Sequence, residues 1–99
     1  MEITLQVDNN EATEDGSTVG GGRYNTASGD YSTISGGNYN EASGRYSIIS
    51  GGYNNTASAR YSTIGGGAYN TASSSYYATV GGGDSNTASG YNSVVGGGG

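Results

Sequence analysis

The chain has 99 residues, of which 21 are Gly and none is Pro, Cys, His, Trp or Phe, and apolar types make up only 31%. That is too little apolar material to close a conventional globular core, so the chain must either stay disordered or build a regular backbone ladder around a thin core. The formal net charge of −5 carries no basic footprint for nucleic acid or for an anionic membrane surface, and the missing Cys and His remove disulfides, thiolate metal sites and the commonest catalytic groups.

Residues 1–15 read as an N-terminal strand and an acidic lead-in segment. Ile3-Thr4-Leu5-Gln6-Val7 predicts one strand outside the repeat. Glu2, Asp8, Glu11, Glu14 and Asp15 all fall in this segment without a basic residue among them, a charge that opposes end-to-end stacking. The remaining carboxylates, Asp30, Glu41 and Asp84, are balanced by Arg23, Arg45 and Arg60, so residues 16–99 are neutral. No stretch is apolar enough to span a membrane, and no signal-peptide pattern is visible.

From residue 16 to 99 the chain is a tandem repeat. Ser17-Thr18-Val19 opens a series continued by Ser32-Thr33-Ile34, Ser47-Ile48-Ile49, Ser62-Thr63-Ile64, Ala78-Thr79-Val80 and Ser93-Val94-Val95. Between them recur Asn25-Thr26-Ala27-Ser28, Asn40-Glu41-Ala42-Ser43, Asn55-Thr56-Ala57-Ser58, Asn70-Thr71-Ala72-Ser73 and Asn86-Thr87-Ala88-Ser89. The register extends back one unit to Asn10-Glu11-Ala12-Thr13. The spacing is fifteen residues with one slip to sixteen between Ile64 and Val80. The Ala column slips likewise between Ala72 and Ala88, which places the extra residue within Ser73-Ser74-Ser75-Tyr76-Tyr77 as a loop insertion or bulge.

Each unit predicts two short strands. Tyr-Ser-Thr-Ile favours extended backbone through aromatic and β-branched residues, and the Gly pair or triplet after it supplies a corner. Strand alternation then fixes the faces. With Ile34 inward, Ser32 is inward while Tyr31 and Thr33 point out; with Ala42 inward, Asn40 is inward while Glu41 and Ser43 point out. The expected core is Val19, Ile34, Ile49, Ile64, Val80 and Val95 facing Ala27, Ala42, Ala57, Ala72 and Ala88. Gly clusters and the absence of a 3.6-residue period exclude helices. Columns held in phase over successive units argue against a disordered linker, which has no reason to keep them. The predicted fold is all-β, a parallel β-solenoid of fifteen-residue coils whose C-terminal coil is incomplete. The interior of one coil is too thin to offset its ordering entropy, so coils must stack. Lateral packing of several rolls, as a homotrimer, is expected to add a second apolar surface.

Chemistry finds little purchase. Gly65-Gly66-Gly67 lacks the following Lys-Ser/Thr and the strand-to-helix context of a phosphate loop. Asp84 stands where Arg23, Asn38, Tyr53 and Ala68 stand in other units, so carboxylates do not recur for a calcium ladder. No cofactor and no enzymatic activity are expected. The aromatic columns are the candidate contact residues: Tyr31, Tyr46, Tyr61, Tyr76 and Tyr91 form one, and Tyr24, Tyr39, Tyr53 and Tyr69 a looser second one at the Gly corner. Tyr joins an apolar face to a hydroxyl, so the first column reads as a binding strip for a host protein or glycan, or as a seam between subunits.

The run Ser62-Thr63-Ile64-Gly65-Gly66-Gly67-Ala68-Tyr69-Asn70-Thr71-Ala72-Ser73 resembles the head repeats of YadA-like trimeric autotransporter adhesins, a repeat style shared with some phage tail-fibre proteins. The likeness covers roughly residues 10–99, with Asn replacing the Ser of the family's second half-motif and Tyr columns added. The resemblance implies a left-handed β-roll, packed as a trimer, displayed outside the cell or on a virion fibre and used for attachment. Two other readings stay open. Thr26, Thr56, Thr71 and Thr87 with Ser28, Ser58, Ser73 and Ser89 form an outward hydroxyl column of the kind that binds ice, interrupted by Glu41. The uncapped run after Val95 would also serve a subunit polymerising end to end.

Overall fold

A computed structural model describes residues 3–4, 9–73 and 76–99 of the chain. Among these residues the regular elements are two-residue strands, in chain order β1 Ile3–Thr4, β2 Glu11–Ala12, β3 Thr18–Val19, β4 Thr26–Ala27, β5 Thr33–Ile34, β6 Glu41–Ala42, β7 Ile48–Ile49, β8 Thr56–Ala57, β9 Thr63–Ile64, β10 Thr71–Ala72, β11 Thr79–Val80, β12 Thr87–Ala88 and β13 Val94–Val95. Odd-numbered strands make one parallel sheet in the order β1-β3-β5-β7-β9-β11-β13, and even-numbered strands make the other. The chain is therefore an all-β parallel solenoid of about six coils, each contributing one strand to either sheet.

The register is the one the repeat predicts. Val19 stands beside Ile34, Ile34 beside Ile49 and Ile49 beside Ile64, and the Ala column runs from Ala12 through Ala27, Ala42 and Ala57 to Ala72 and Ala88. The first strand behaves differently from the reading that set it outside the repeat. Ile3–Thr4 pairs in parallel with Thr18–Val19, fifteen residues on, so it continues the first sheet. Leu5, Gln6 and Val7 lie outside the described residues.

The interior is one side chain thick. Val19, Ile34, Ile49, Ile64 and Val80 are fully buried against Ala27, Ala42, Ala57, Ala72 and Ala88, with Ala12 and Val95 half-buried at the margins. The narrowest extent of the Cα trace, 13 Å, leaves space for no second layer. Burying these columns contributes about 1.5–3 kcal/mol per Ile or Val, so polar interactions must fix what the apolar ones only cluster.

The inward Asn residues do that. Each accepts the backbone N–H of the equivalent Asn in the next coil on its side-chain oxygen: Asn40 N–H to Asn25 Oδ1 at 3.0 Å, Asn55 to Asn40 at 2.9 Å, Asn70 to Asn55 at 2.9 Å and Asn86 to Asn70 at 2.9 Å. Each side-chain nitrogen donates into the Gly corners of two coils. Asn55 Nδ2 reaches Gly51 O at 3.1 Å and Gly67 O at 3.0 Å. The side chain thus completes the ladder where the corner interrupts the strand, and a buried polar column is fully paired. The corner itself requires glycine. Gly37 has φ +94°, and a Cβ there would overlap the carbonyl oxygen of Gly52 in the next coil.

Two positions per coil adopt left-handed backbone although they are not glycine. One column holds Tyr31, Tyr46, Tyr61, Tyr77 and Asn92; the other holds Tyr24, Tyr39, Asn54, Tyr69 and Ser85; their φ values run from 55° to 61°. Such values are uncommon for Asn and outlying for bulky side chains. The turn they make sends their N–H groups to the preceding coil, as in Tyr46 N–H to Asp30 O at 2.9 Å and Tyr61 N–H to Arg45 O at 2.9 Å. Strain at each is of the order of 1–2 kcal/mol, offset by that bond and by stacking of the rings.

Two stability tests follow from this arrangement. Asn55→Ala removes the acceptor of the Asn70 N–H and the donor to two Gly carbonyls, and is expected to cost about 3 kcal/mol or more in denaturant unfolding. Ser62→Ala should be neutral or stabilising, because the buried Ser62 hydroxyl has no partner and Ala78 already fills that place in the next coil. A larger loss at Ser62 than at Asn55 would refute this account of the polar interior. Separately, Tyr61→Asn should cost less than Tyr61→Val, by about 1 kcal/mol, since Asn tolerates left-handed backbone and a β-branched residue does not. Equal costs would show that the ring contributes through packing alone.

Candidate functional site

The outward residues form four strips along the rod. Two are narrow edges carrying the tyrosines, and two are the outer faces of the sheets.

The first tyrosine strip differs in membership from the column read off the sequence. Ring stacking runs Tyr31–Tyr46 at 5.1 Å between centroids, Tyr46–Tyr61 at 5.2 Å and Tyr61–Tyr77 at 5.1 Å, with ring planes within 10°. Tyr77, and not Tyr76, continues the column. Tyr76 bridges to Arg60, one position earlier in the coil, and Tyr91 follows Tyr76; Asn92 takes the left-handed position after Tyr77. The cause is where the extra residue falls. Ser73 N–H still bonds Ala88 O in line with its neighbours, whereas Tyr76 is already displaced by sixteen from Arg60. The extra residue therefore falls between Ser73 and Tyr76, before both tyrosines; Ser74 and Ser75 are outside the described residues. Tyr76 and Tyr91 still join the strip through edge contacts to Tyr77, each pair at 6.2–6.3 Å.

The second strip alternates geometry. Tyr24 and Tyr39 stack at 4.9 Å. Tyr53 occupies the neighbouring position, in line with Asn38 and Ala68, yet it meets Tyr39 and Tyr69 edge-on at 5.8 and 5.5 Å. A swapped residue order, Tyr53-Asn54 for Asn38-Tyr39, thus leaves the aromatic strip continuous.

The stacked rings of the first strip are half-exposed, from 39% at Tyr46 to 49% at Tyr31. Their flat faces are covered by one another, so what the strip offers to a partner is ring edges and a row of phenol hydroxyls. Arg45 adds its guanidinium 5.5 Å from the Tyr46 ring centre, and Arg60 lies 5.4 Å from that of Tyr76.

The two broad faces differ in charge. Outward positions of the odd-numbered sheet are Thr18, Thr33, Ile48, Thr63, Thr79 and Val94, with no charge among them; Ile48 and Val94 are 42% and 71% exposed. The even-numbered sheet presents Glu11, Thr26, Glu41, Thr56, Thr71 and Thr87. No cavity opens among the described residues, and no group of three or more His, Cys, Asp or Glu lies together there. No helix among them is long and apolar enough to cross a membrane.

The sequence does not announce the Asn ladder or the left-handed tyrosines. A usable signal exists for the second. In every described coil the left-handed residue of the first strip stands three before the buried Ile or Val, which selects Tyr77 by counting back from Val80.

Residues 32–44, from Ser32 through the Gly corner to Gly44, match the family model of the Ubiquitous surface protein adhesin repeat. A search of curated proteins gives no match. The matched segment spans β5, the corner and β6, and the register carries the same backbone into the coils on either side. Over residues 32–44 the chain is thus similar to an adhesin repeat.

Proposed function

We propose that this chain is a structural and adhesive segment of an extracellular trimeric fibre, in which three left-handed rolls pack side by side and the tyrosine strips meet the target surface. The observation that carries the reading is the match at residues 32–44 on a solenoid whose coils repeat that unit in register. The similarity to an adhesin repeat supports surface display, and the described residues, which enclose no cavity, fit a non-enzymatic role.

The uncharged outer face of the odd-numbered sheet is the proposed seam. Among the described residues, Ile48 and Val94 are exposed aliphatic residues of that face, and burying them laterally adds what the thin interior lacks. The opposite face, with Glu11 and Glu41, stays in water. Both tyrosine strips then remain open along the edges of the assembly, available to a host protein or glycan. A second reading, ice binding, draws on the aligned Thr26, Thr56, Thr71 and Thr87 of the even-numbered sheet, and is tested directly by thermal hysteresis and crystal shape.

Light scattering at micromolar concentration is expected to give three times the chain mass, and Ile48→Glu to give folded single chains. A stable folded monomer of the unaltered protein would remove the trimer from the proposal. The double substitution Tyr46→Ser and Tyr61→Ser is expected to leave the trimer intact and lower adhesion to coated surfaces severalfold. Loss of the trimer instead would make the tyrosine strip the seam.

A further inference from the structure

The geometry points to the ladder Tyr31–Tyr46–Tyr61–Tyr77 as a site of oxidative dityrosine cross-linking between successive coils of one chain. Three observations converge on it. The phenols are half-exposed, they lie in near-parallel pairs at 5.1–5.2 Å, and their backbones are held in register by hydrogen bonds between coils. A stacked pair places the ring carbons ortho to one hydroxyl beside those of the next, already at coil spacing. An edge-on pair, such as Tyr39 with Tyr53, aims a C–H at a ring face and is poorly set for the same bond. The chain has no Cys, so no disulfide can tie its coils together. An oxidised phenol pair would supply a covalent tie of another chemistry, between rings already stacked at 5.1–5.2 Å.

The reaction balances with a peroxidase and hydrogen peroxide as the oxidising system. Each of two neighbouring phenols gives up one electron and one proton. The two phenoxyl radicals join through a new carbon–carbon bond between ortho positions, and the two ring protons displaced there move to the oxygens as aromaticity returns. The peroxide is reduced to two waters, and the chain loses two hydrogens per tie. This inference does not rest on surface attachment, since it requires only that the ladder meet the oxidant.

The three Arg residues make the ties easy to map. Trypsin after Arg23, Arg45 and Arg60 separates Tyr31, Tyr46 and Tyr61 into the peptides 24–45, 46–60 and 61–99. The whole protein, treated with horseradish peroxidase and hydrogen peroxide, is expected to gain dityrosine fluorescence at a yield per chain independent of protein concentration. Fragmentation of joined peptides should place the links at Tyr31–Tyr46 and Tyr46–Tyr61, and the coupled chain should melt later than the untreated one. Tyr46→Phe keeps an aromatic ring in the stack but cannot couple; both joins should fall to background while Tyr61–Tyr77 coupling persists. Circular dichroism of that variant establishes that the fold is kept. Links mainly between chains, links at Tyr39–Tyr53 or Tyr53–Tyr69 as often as at stacked pairs, joins that survive Tyr46→Phe, or no dityrosine at all would each overturn the proposal.

Discussion

The side-chain oxygen of an inward Asn receiving the backbone N–H of the Asn in the next coil is the interaction on which the rest of this rod depends. It acts at the Gly corner, where short strands end and a backbone ladder would otherwise lapse. Buried in a thin interior, neither partner has water to fall back on, so a one-residue slip of any coil would strand a donor and an acceptor together. Apolar columns alone would not impose that discipline. Ile beside Ile and Ala beside Ala tolerate small displacements, whereas a hydrogen bond of 2.9–3.0 Å does not.

With axial register set there, the corners can carry conformations that a single turn would refuse. Left-handed tyrosines recur because each coil presents a carbonyl to the next one's N–H, and because each ring lands on the ring below. Strain and stacking are two sides of one arrangement. The same logic explains how Tyr53 and Asn54 exchange order without breaking the strip: Asn accepts the left-handed position, and the displaced ring still reaches its neighbours by an edge.

Much of this was legible in the residues themselves. A fifteen-residue period, the inward phase of Ile34 and Ala42, and the exclusion of helices follow from alternation and from where Gly falls. The inward placement of Asn40 follows too, though alternation gives only its direction and not the bond it makes to Asn25. The tyrosine positions were harder. Propensity places an aromatic in a strand, and nothing in propensity marks a left-handed backbone at Tyr46, since that conformation is stabilised by the coils on either side. The slip between Ser73 and Tyr76 compounds this, because two adjacent tyrosines follow it and a fixed spacing from Tyr61 selects the wrong one. The surface that would cover the proposed seam lies outside a single chain, and the sequence marks that face only through the uncharged outward residues on either side of Ile48.

Because each coil meets its neighbours through the same few contacts, the units are interchangeable. Loss or duplication of a whole unit would leave a matched interface at the new junction. Length then becomes a property that can drift by increments of about 4.8 Å while folding is conserved, giving a lineage of such proteins rods of graded reach.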